Sequence, residues 1–316
     1  MNEFQLIARY FDWPASNAEL GVGDDAALVS VAPGKQLAIS ADMLVEGRHF
    51  FADVDPDCLG RKVLAVNLSD MAAMGAVPRW FTLALALPQI DTRWLEAFSR
   101  GLRAMAEEHG VTLIGGDTTC GPLTISIQIM GEVEAGAALL RSGGLPGDDL
   151  WVSGPLGAAA AAVMHRQGRT ILPPNIFAQC EVRLDLPVPR VALGRQLCGL
   201  ASAALDISDG LLADAGHLCE RSGCGAEIEL SCVPYPYVLS DLPPDLLQEA
   251  ILAGGDDYEL CFSAPAAQRD AIEALKISTG LSLTRVGRLV AGQGVRVLDS
   301  CGEPLVLSHA GFDHFA

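Results

Sequence analysis

The sequence predicts an α/β protein with mixed sheets, divided into two domains. Three observations carry that reading. Strand-like and helix-like apolar segments alternate along the chain without a repeating period. Leu123 to Ile129 alternates apolar and polar residues cleanly, as a strand buried on one face must. A length of 316 residues also exceeds what one hydrophobic core usually holds.

The elements follow in order. Residues 4–11 read as a short helix, and Gly21 to Asp25 as an acidic turn feeding the apolar run Ala26 to Val31. Pro33-Gly34 turns into a strand at Gln36 to Ile39, with Asp42 just past its end. Asp55-Pro56 starts a helix, aspartate as cap and proline in the first turn. Leu59, Val63, Val66 and Met74 give that helix an apolar face, and Asp70 falls in its last turns. Trp80 to Leu87 reads as a strand, and Asp91-Thr92 opens a helix that Gly110 stops. Thr112 to Ile114 is a short strand, with Gly115-Gly116-Asp117 reading as a tight turn after it.

Composition shifts near Glu134 to Ala138, which places the domain boundary there: 1–137 and 138–316. Beyond it come a loop at Arg141 to Asp148, a strand at Leu150 to Val152 and an alanine-rich helix near Pro155. A helix follows over Val191 to Ser202, then a strand at Ala204 to Asp206. Ser208 or Asp209 caps a helix through Leu211, Leu212, Ala215 and Leu218, and Gly254 to Glu259 leads into a strand at Leu260 to Phe262.

Composition excludes several function classes. A net charge of −18 works against nucleic acid or an anionic membrane as partner. No apolar run approaches the roughly 20 residues that span a bilayer, and the first residues lack a signal-peptide pattern. Nine scattered cysteines without a C-x2-C pair fit reduced thiols in a cytoplasmic protein, not zinc ligands. The lysines are Lys35, Lys62 and Lys276, and none lies in a G-x-x-x-x-G-K-[ST] loop. H-R-D and D-F-G are absent, so neither a Walker-type ATPase nor a protein kinase is expected.

What stands out is aspartate at one junction after another: Gly23-Asp24-Asp25, Ser40-Ala41-Asp42, Ser69-Asp70, Gly116-Asp117, Asp206-Ile207-Ser208-Asp209 and Asp256-Asp257. Two carboxylates about 5 Å apart repel by roughly 3 kcal/mol at an effective dielectric near 20. Several at one site need cations between them. Hard oxygen donors without histidine or thiolate favour Mg²⁺, with Mn²⁺ as a substitute, and Mg²⁺ completes its shell with water and substrate phosphate. Singly, each motif has a plainer reading: a turn for Asp24-Asp25, a solvent-facing helix residue for Asp70, a solvated cation for Arg141, a packed or surface imidazole for His49. D-I-S-D-G is rarer. Its two acids can hold metal, and backbone N–H groups before a helix favour anions.

Taken together, G-V-G-D-D-A, S-A-D-M-L-V-E-G-R-H-F, N-L-S-D-M-A-A-M-G-A, G-G-D-T, R-S-G-x-x-P-G-D, D-I-S-D-G-L and G-G-D-D-Y-E-L resemble bacterial thiamine-monophosphate kinases, from about residue 20 to Phe312. These kinases fall in the aminoimidazole ribonucleotide synthetase superfamily. The resemblance implies an N-terminal α/β domain that binds ATP and Mg²⁺ and dimerises, a C-terminal α/β domain, and a homodimer in the cytoplasm. It implies metal ligation by Asp25, Ser40, Ala41 (through its carbonyl), Asp42, Asp70, Asp117, Asp206 and Asp209. Gly116, Asp117, Arg141 and Ser208 line the ATP site on the same basis, and His49, Asp256 and Phe312 meet thiamine monophosphate. One position departs: the family reads G-G-E-D-Y-E, and Asp256 is one methylene shorter than that glutamate.

The implied reaction is direct in-line transfer of the γ-phosphoryl group of ATP to the phosphate of thiamine monophosphate, giving thiamine diphosphate, with several Mg²⁺ ions and no residue as general base. Three other readings compete. A sister superfamily synthetase shares the scaffold, although the N-terminal region lacks the reactive Cys or Lys of a selenophosphate synthetase. A Mg²⁺-dependent phosphomonoesterase would use the acids around a water. A metal-stabilised binding module would bind nucleotide without product.

Overall fold

The computed structural model describes residues 2–305. Helices are α1 (Glu3–Tyr10), α2 (Pro56–Ala73), α3 (Thr92–His109), α4 (Ala158–Arg166), α5 (Pro174–Asp185), α6 (Val191–Leu197), α7 (Leu211–Ser222), α8 (Pro244–Leu252) and α9 (Arg269–Thr279). Strands are β1 (Lys35–Val45), β2 (Val77–Leu87), β3 (Thr112–Cys120), β4 (Thr124–Glu134), β5 (Asp149–Val152), β6 (Ala203–Ile207), β7 (Gly225–Glu229), β8 (Glu259–Ala264), β9 (Thr284–Val290) and β10 (Gly294–Leu298). No helix among the described residues is long and apolar enough to cross a membrane.

The chain divides into two compact units, one of Met1–Met71 and Ala76–Gly136, the other of Ala72–Gly75 and Ala137–Ala316. The first holds a mixed sheet ordered β1-β4-β2-β3, in which only β2 and β3 run parallel among the described strands. Leu59, Val63, Leu64 and Leu68 of α2 and Leu95, Phe98 and Leu102 of α3 are buried with Phe81, Leu85 and Ile129 of the sheet. The caps of α3 form as expected: Asp91 accepts from the Arg93 and Trp94 N–H groups, and Gly110 closes the helix in the left-handed region. Asp55 does the same for α2, accepting from Asp57 and Cys58.

Four expectations in this unit are corrected. The first strand does not stop at Ile39: β1 pairs with β4 from Lys35 to Val45, so Asp42 lies inside the strand. Continuous antiparallel pairing outweighs aspartate's low strand propensity. Gly115-Gly116-Asp117 is not a tight turn but the body of β3. There Leu113 pairs with Phe81 and Gly115 with Thr82, leaving Ile114 as a bulge. Gly116 has φ +151°, and a Cβ on it would meet the Leu83 carbonyl oxygen at 1.9 Å, so the position takes glycine. Met74 lies beyond the end of α2, which is buried nearly all round and not on one face.

The second unit holds a sheet ordered β10-β7-β9-β5-β8-β6, antiparallel except for β10 and β7 among the described strands. Leu211, Ala215 and Leu218, on one stripe of α7, pack against Leu205, Ile207, Cys261 and Val286. Helix α6 ends at Leu197 and does not reach Ser202, because Gly199 takes a left-handed conformation. The cap expected of Ser208 or Asp209 on α7 is also absent: Gly210 is the N-cap and no side chain caps the helix there.

Candidate active site

In the first unit, strand alternation does most of the positioning. Ser40, Asp42 and Leu44 share the packed face of β1, while Leu37, Ile39, Ala41 and Met43 share the open face. The Ser40 hydroxyl donates to Asp70 Oδ2 at 2.5 Å. Ser40, Asp42 and Asp70 are therefore gathered on one side of the sheet, an all-oxygen donor set of the kind a hard divalent cation takes. Ala41 points the other way and its methyl group carries no donor atom, so it could contribute to such a site only through its carbonyl.

Gly116 and Asp117 sit elsewhere. Asp42, Ile127, Leu83 and Gly116 form one register row across the sheet, which puts β1 and β3 three strand spacings apart, about 14 Å. Asp117 lies on the neighbouring row with Ala84, Ser126 and Met43, and it is exposed. Asp25 is exposed in the irregular segment before β1, its N–H donating to Asp24 Oδ1. Among the described residues no three Asp, Glu, His or Cys side chains are drawn together as a ready-made metal cage.

His49 closes the turn after β1. Its Nδ1 accepts the Val45 N–H at 3.0 Å, so the neutral ring carries its proton on Nε2.

The second unit joins two of the motifs directly. Asp206 lies at 5 % exposure in β6, paired with Leu260, and the chain then turns through Ser208 and Asp209. The Asp256 N–H donates to the Ser208 carbonyl at 3.0 Å and the Tyr258 N–H to the Ile207 carbonyl at 2.8 Å. A Cβ at Gly255 would meet the Ser208 carbonyl oxygen at 2.4 Å, which accounts for glycine beside that contact. Asp256 and Tyr258, with φ of 66° and 50°, are the non-glycine residues of positive φ among those described. Strain of this kind persists where the surroundings hold it, and it collects at functional sites.

Sequence reasoning missed the residues that hold this strained turn. Asp257 accepts the Gly157 N–H on both carboxylate oxygens at 3.0 Å, and burial raises its pKa well above the ordinary range. Glu259 is buried, receives Arg190 through two nitrogens, and accepts the Ser153 hydroxyl at 2.5 Å. Asp214 in the first turn of α7 reaches back, and one of its oxygens accepts both the Ser208 and the Asp209 N–H at 3.0 Å. Burial pushes the Asp214 carboxyl up to about 7, against the two N–H groups and the nearby Arg141 cation, which lower it. A carboxylate four residues into a helix that lacks a side-chain cap was the available signal. Arg141 is exposed on a loop beside β6, where Leu140 accepts the Ala204 N–H and Arg141 accepts the Ser222 hydroxyl. Phe312 lies outside the described residues.

Residues 23–133 match the AIR synthase related protein N-terminal domain, and residues 134–300 its C-terminal domain. The thiamine-monophosphate kinase of Escherichia coli K12 is 44% identical over 99% of this chain and 98% of its own length. That of Bacillus subtilis 168 is 33% identical over the full length of both. The chain belongs to the thiamine-monophosphate kinase family. Its fold agrees: the crystal structure of thiamine-monophosphate kinase from Stenotrophomonas maltophilia K279a matches at TM-score 0.86 and 45% identity, covering 96% of each chain. A structure of AaThiL complexed with AMPPCP and TMP matches at 0.79 and 29% identity, covering 99% of this chain and 96% of that one. The expected two-domain α/β architecture with mixed sheets is therefore that of this kinase family.

Proposed function

We propose that this protein transfers the γ-phosphoryl group of ATP to the phosphate of thiamine monophosphate, forming thiamine diphosphate and ADP. Full-length similarity to thiamine-monophosphate kinases carries the reading, and the relative bound to AMPPCP and TMP supplies the matching ligand pair. The acceptor phosphate is already anionic near neutral pH, so the site has to align two phosphates and offset their repulsion. Neither task calls for a general base.

Mg²⁺ is the proposed cofactor: in the first unit Ser40, the Ala41 carbonyl, Asp42 and Asp70 would hold it on one side of the sheet, with Asp25 and Asp117 as separate proposed ligand positions, and in the second unit Asp206 and Asp209 are the proposed ligands. Bound there, it neutralises phosphate charge. The chain's own residues supply the rest. The proposed nucleotide contacts are Gly116 and Asp117 in the first unit and, in the second, Ser208 and Arg141, the latter as a cationic contact. For thiamine monophosphate the proposed contacts are His49 in the first unit, for its phosphate, and Asp256 in the second, whose acid suits the cationic thiazolium; Phe312 is the proposed aromatic contact. The proposed domains 1–137 and 138–316 act as the nucleotide-and-metal domain and its C-terminal counterpart.

The open face of β1 supports a homodimer: Ile39 and Met43 are more than half exposed on an edge strand, with Leu37 beside them. Nine free thiols support a cytoplasmic setting. The test is to incubate purified protein with MgATP and thiamine monophosphate and quantify thiamine diphosphate and ADP, with a tube lacking ATP. Equal amounts of both products are expected. Free thiamine and phosphate without ATP would replace this reading with a phosphomonoesterase.

A further inference from the structure

The D-I-S-D-G turn has unusual backbone accounting. The Ser208 and Asp209 N–H groups both go to Asp214, at 3.0 Å each. The Ile207 and Ser208 carbonyls go to the Tyr258 and Asp256 N–H groups. The Ser208 and Asp209 amides and the Ile207 and Ser208 carbonyls are thus engaged from two sides within the protein, and part-buried pairs of this kind are costly to break. A phosphate-binding turn before a helix does the reverse, aiming free N–H groups at the anion. Asp214 occupies the place a phosphate oxygen would take on these two amides. With their amides engaged, Ser208 and Asp209 are left to meet a ligand through their side chains.

We propose that Asp214 is a positioning residue that satisfies the Ser208 and Asp209 amides internally, so that this turn meets nucleotide through side-chain oxygens and the cations they hold, not through its backbone. The inference rests on the reading of this site as a MgATP site. It also explains how an aspartate-rich turn at a helix start serves a nucleotide in a protein with few lysines: the turn is built to face cations.

Hydrogen exchange followed by mass spectrometry on the full-length protein tests it, using the peptide that spans 206–212. In the wild type without nucleotide, the Ser208 and Asp209 amides should already be protected, and saturating Mg²⁺ with AMPPCP should add little. Asp214→Ala should lose that protection while peptides from β5 and β8 keep theirs. Its dissociation constant for Mg²⁺–AMPPCP, by calorimetry, should rise at least tenfold with thiamine monophosphate affinity changed less than twofold. Asp214→Asn keeps an oxygen that can accept both N–H groups and should return nucleotide affinity to within about threefold. Amides that exchange freely in the apo wild type and become protected only with nucleotide would overturn the proposal. So would an Asp214→Ala protein that binds Mg²⁺–AMPPCP normally. Should Asp214→Ala fold poorly, exchange in the wild type and affinity in Asp214→Asn still decide. A wild type with protected amides that binds no Mg²⁺–AMPPCP would overturn the proposed function instead, together with the nucleotide half of this inference.

Discussion

The Ser40 hydroxyl reaches Asp70 Oδ2 across 2.5 Å, tying a strand residue to the last turn of helix α2. Both residues then lie on the side of the sheet that Asp42 shares. This is where the first unit concentrates acidic oxygen. Asp42→Asn and Asp70→Asn should each lower kcat/KM at least 100-fold, about 3 kcal/mol of transition-state stabilisation, with thermal unfolding little changed. Ser40→Ala should cost less, since Asp70 remains. Near-normal turnover in both asparagine variants would remove carboxylate-held cations from the mechanism.

The Val45 N–H fixes the His49 ring through Nδ1, with the neutral ring's proton on Nε2. His49→Ala should raise KM for thiamine monophosphate about tenfold and leave KM for ATP within twofold. Equal rises in the two constants would show that the ring supports the turn and does not touch the acceptor substrate.

Gly116 is packed against the Leu83 carbonyl, with no room for a methyl group and with φ +151°. Gly116→Ala should destabilise the protein by more than about 2 kcal/mol, since strain and a backbone clash add. Chemical denaturation would measure this. An unchanged midpoint would mean that β3 shifts to admit the methyl group.

Asp149 of β5 is held by Arg269 and Arg285. Arg269 is the larger influence holding its carboxyl below the ordinary 3.8, burial opposes it, and Arg285 adds to the lowering. A depressed folded value stabilises above the unfolded pKa, and that stability is lost as pH falls below about 4 through the folded pKa. Asp149→Asn should cost about 1–3 kcal/mol near neutrality, and its deficit relative to wild type should shrink below pH 4. A deficit that stays constant from pH 7 to pH 3 would count against the ionic account.

The exposed apolar residues of β1 predict a concentration-dependent association. Ile39→Asp together with Met43→Asp should move the protein to monomer in sedimentation velocity with its fold retained. A wild type that sediments as monomer at micromolar concentration would remove the homodimer.

Local signals were legible because they act over a few residues. Asp91 capping α3, Gly110 ending it, Asp55 starting α2 and the alternation of Leu123 to Ile129 all follow from backbone geometry and side-chain reach within one turn or one strand. The aspartate motifs were legible too, since acid after acid at element junctions implies cations, and their strings carried the family. Only tertiary structure decided that Asp42 lies within β1, because pairing with β4 extends a strand its own residues would end. Only tertiary structure set the bulge at Ile114, which depends on β2 beside it. Arg190 on Glu259 spans 69 positions and Asp257 on Gly157 spans 100, and no local preference encodes such a contact. The amides of the D-I-S-D-G turn show the division most directly. Their sequence fixes which groups exist, but whether they face a ligand or Asp214 depends on how α7 packs against β6 and β8, and burial settled that in favour of Asp214.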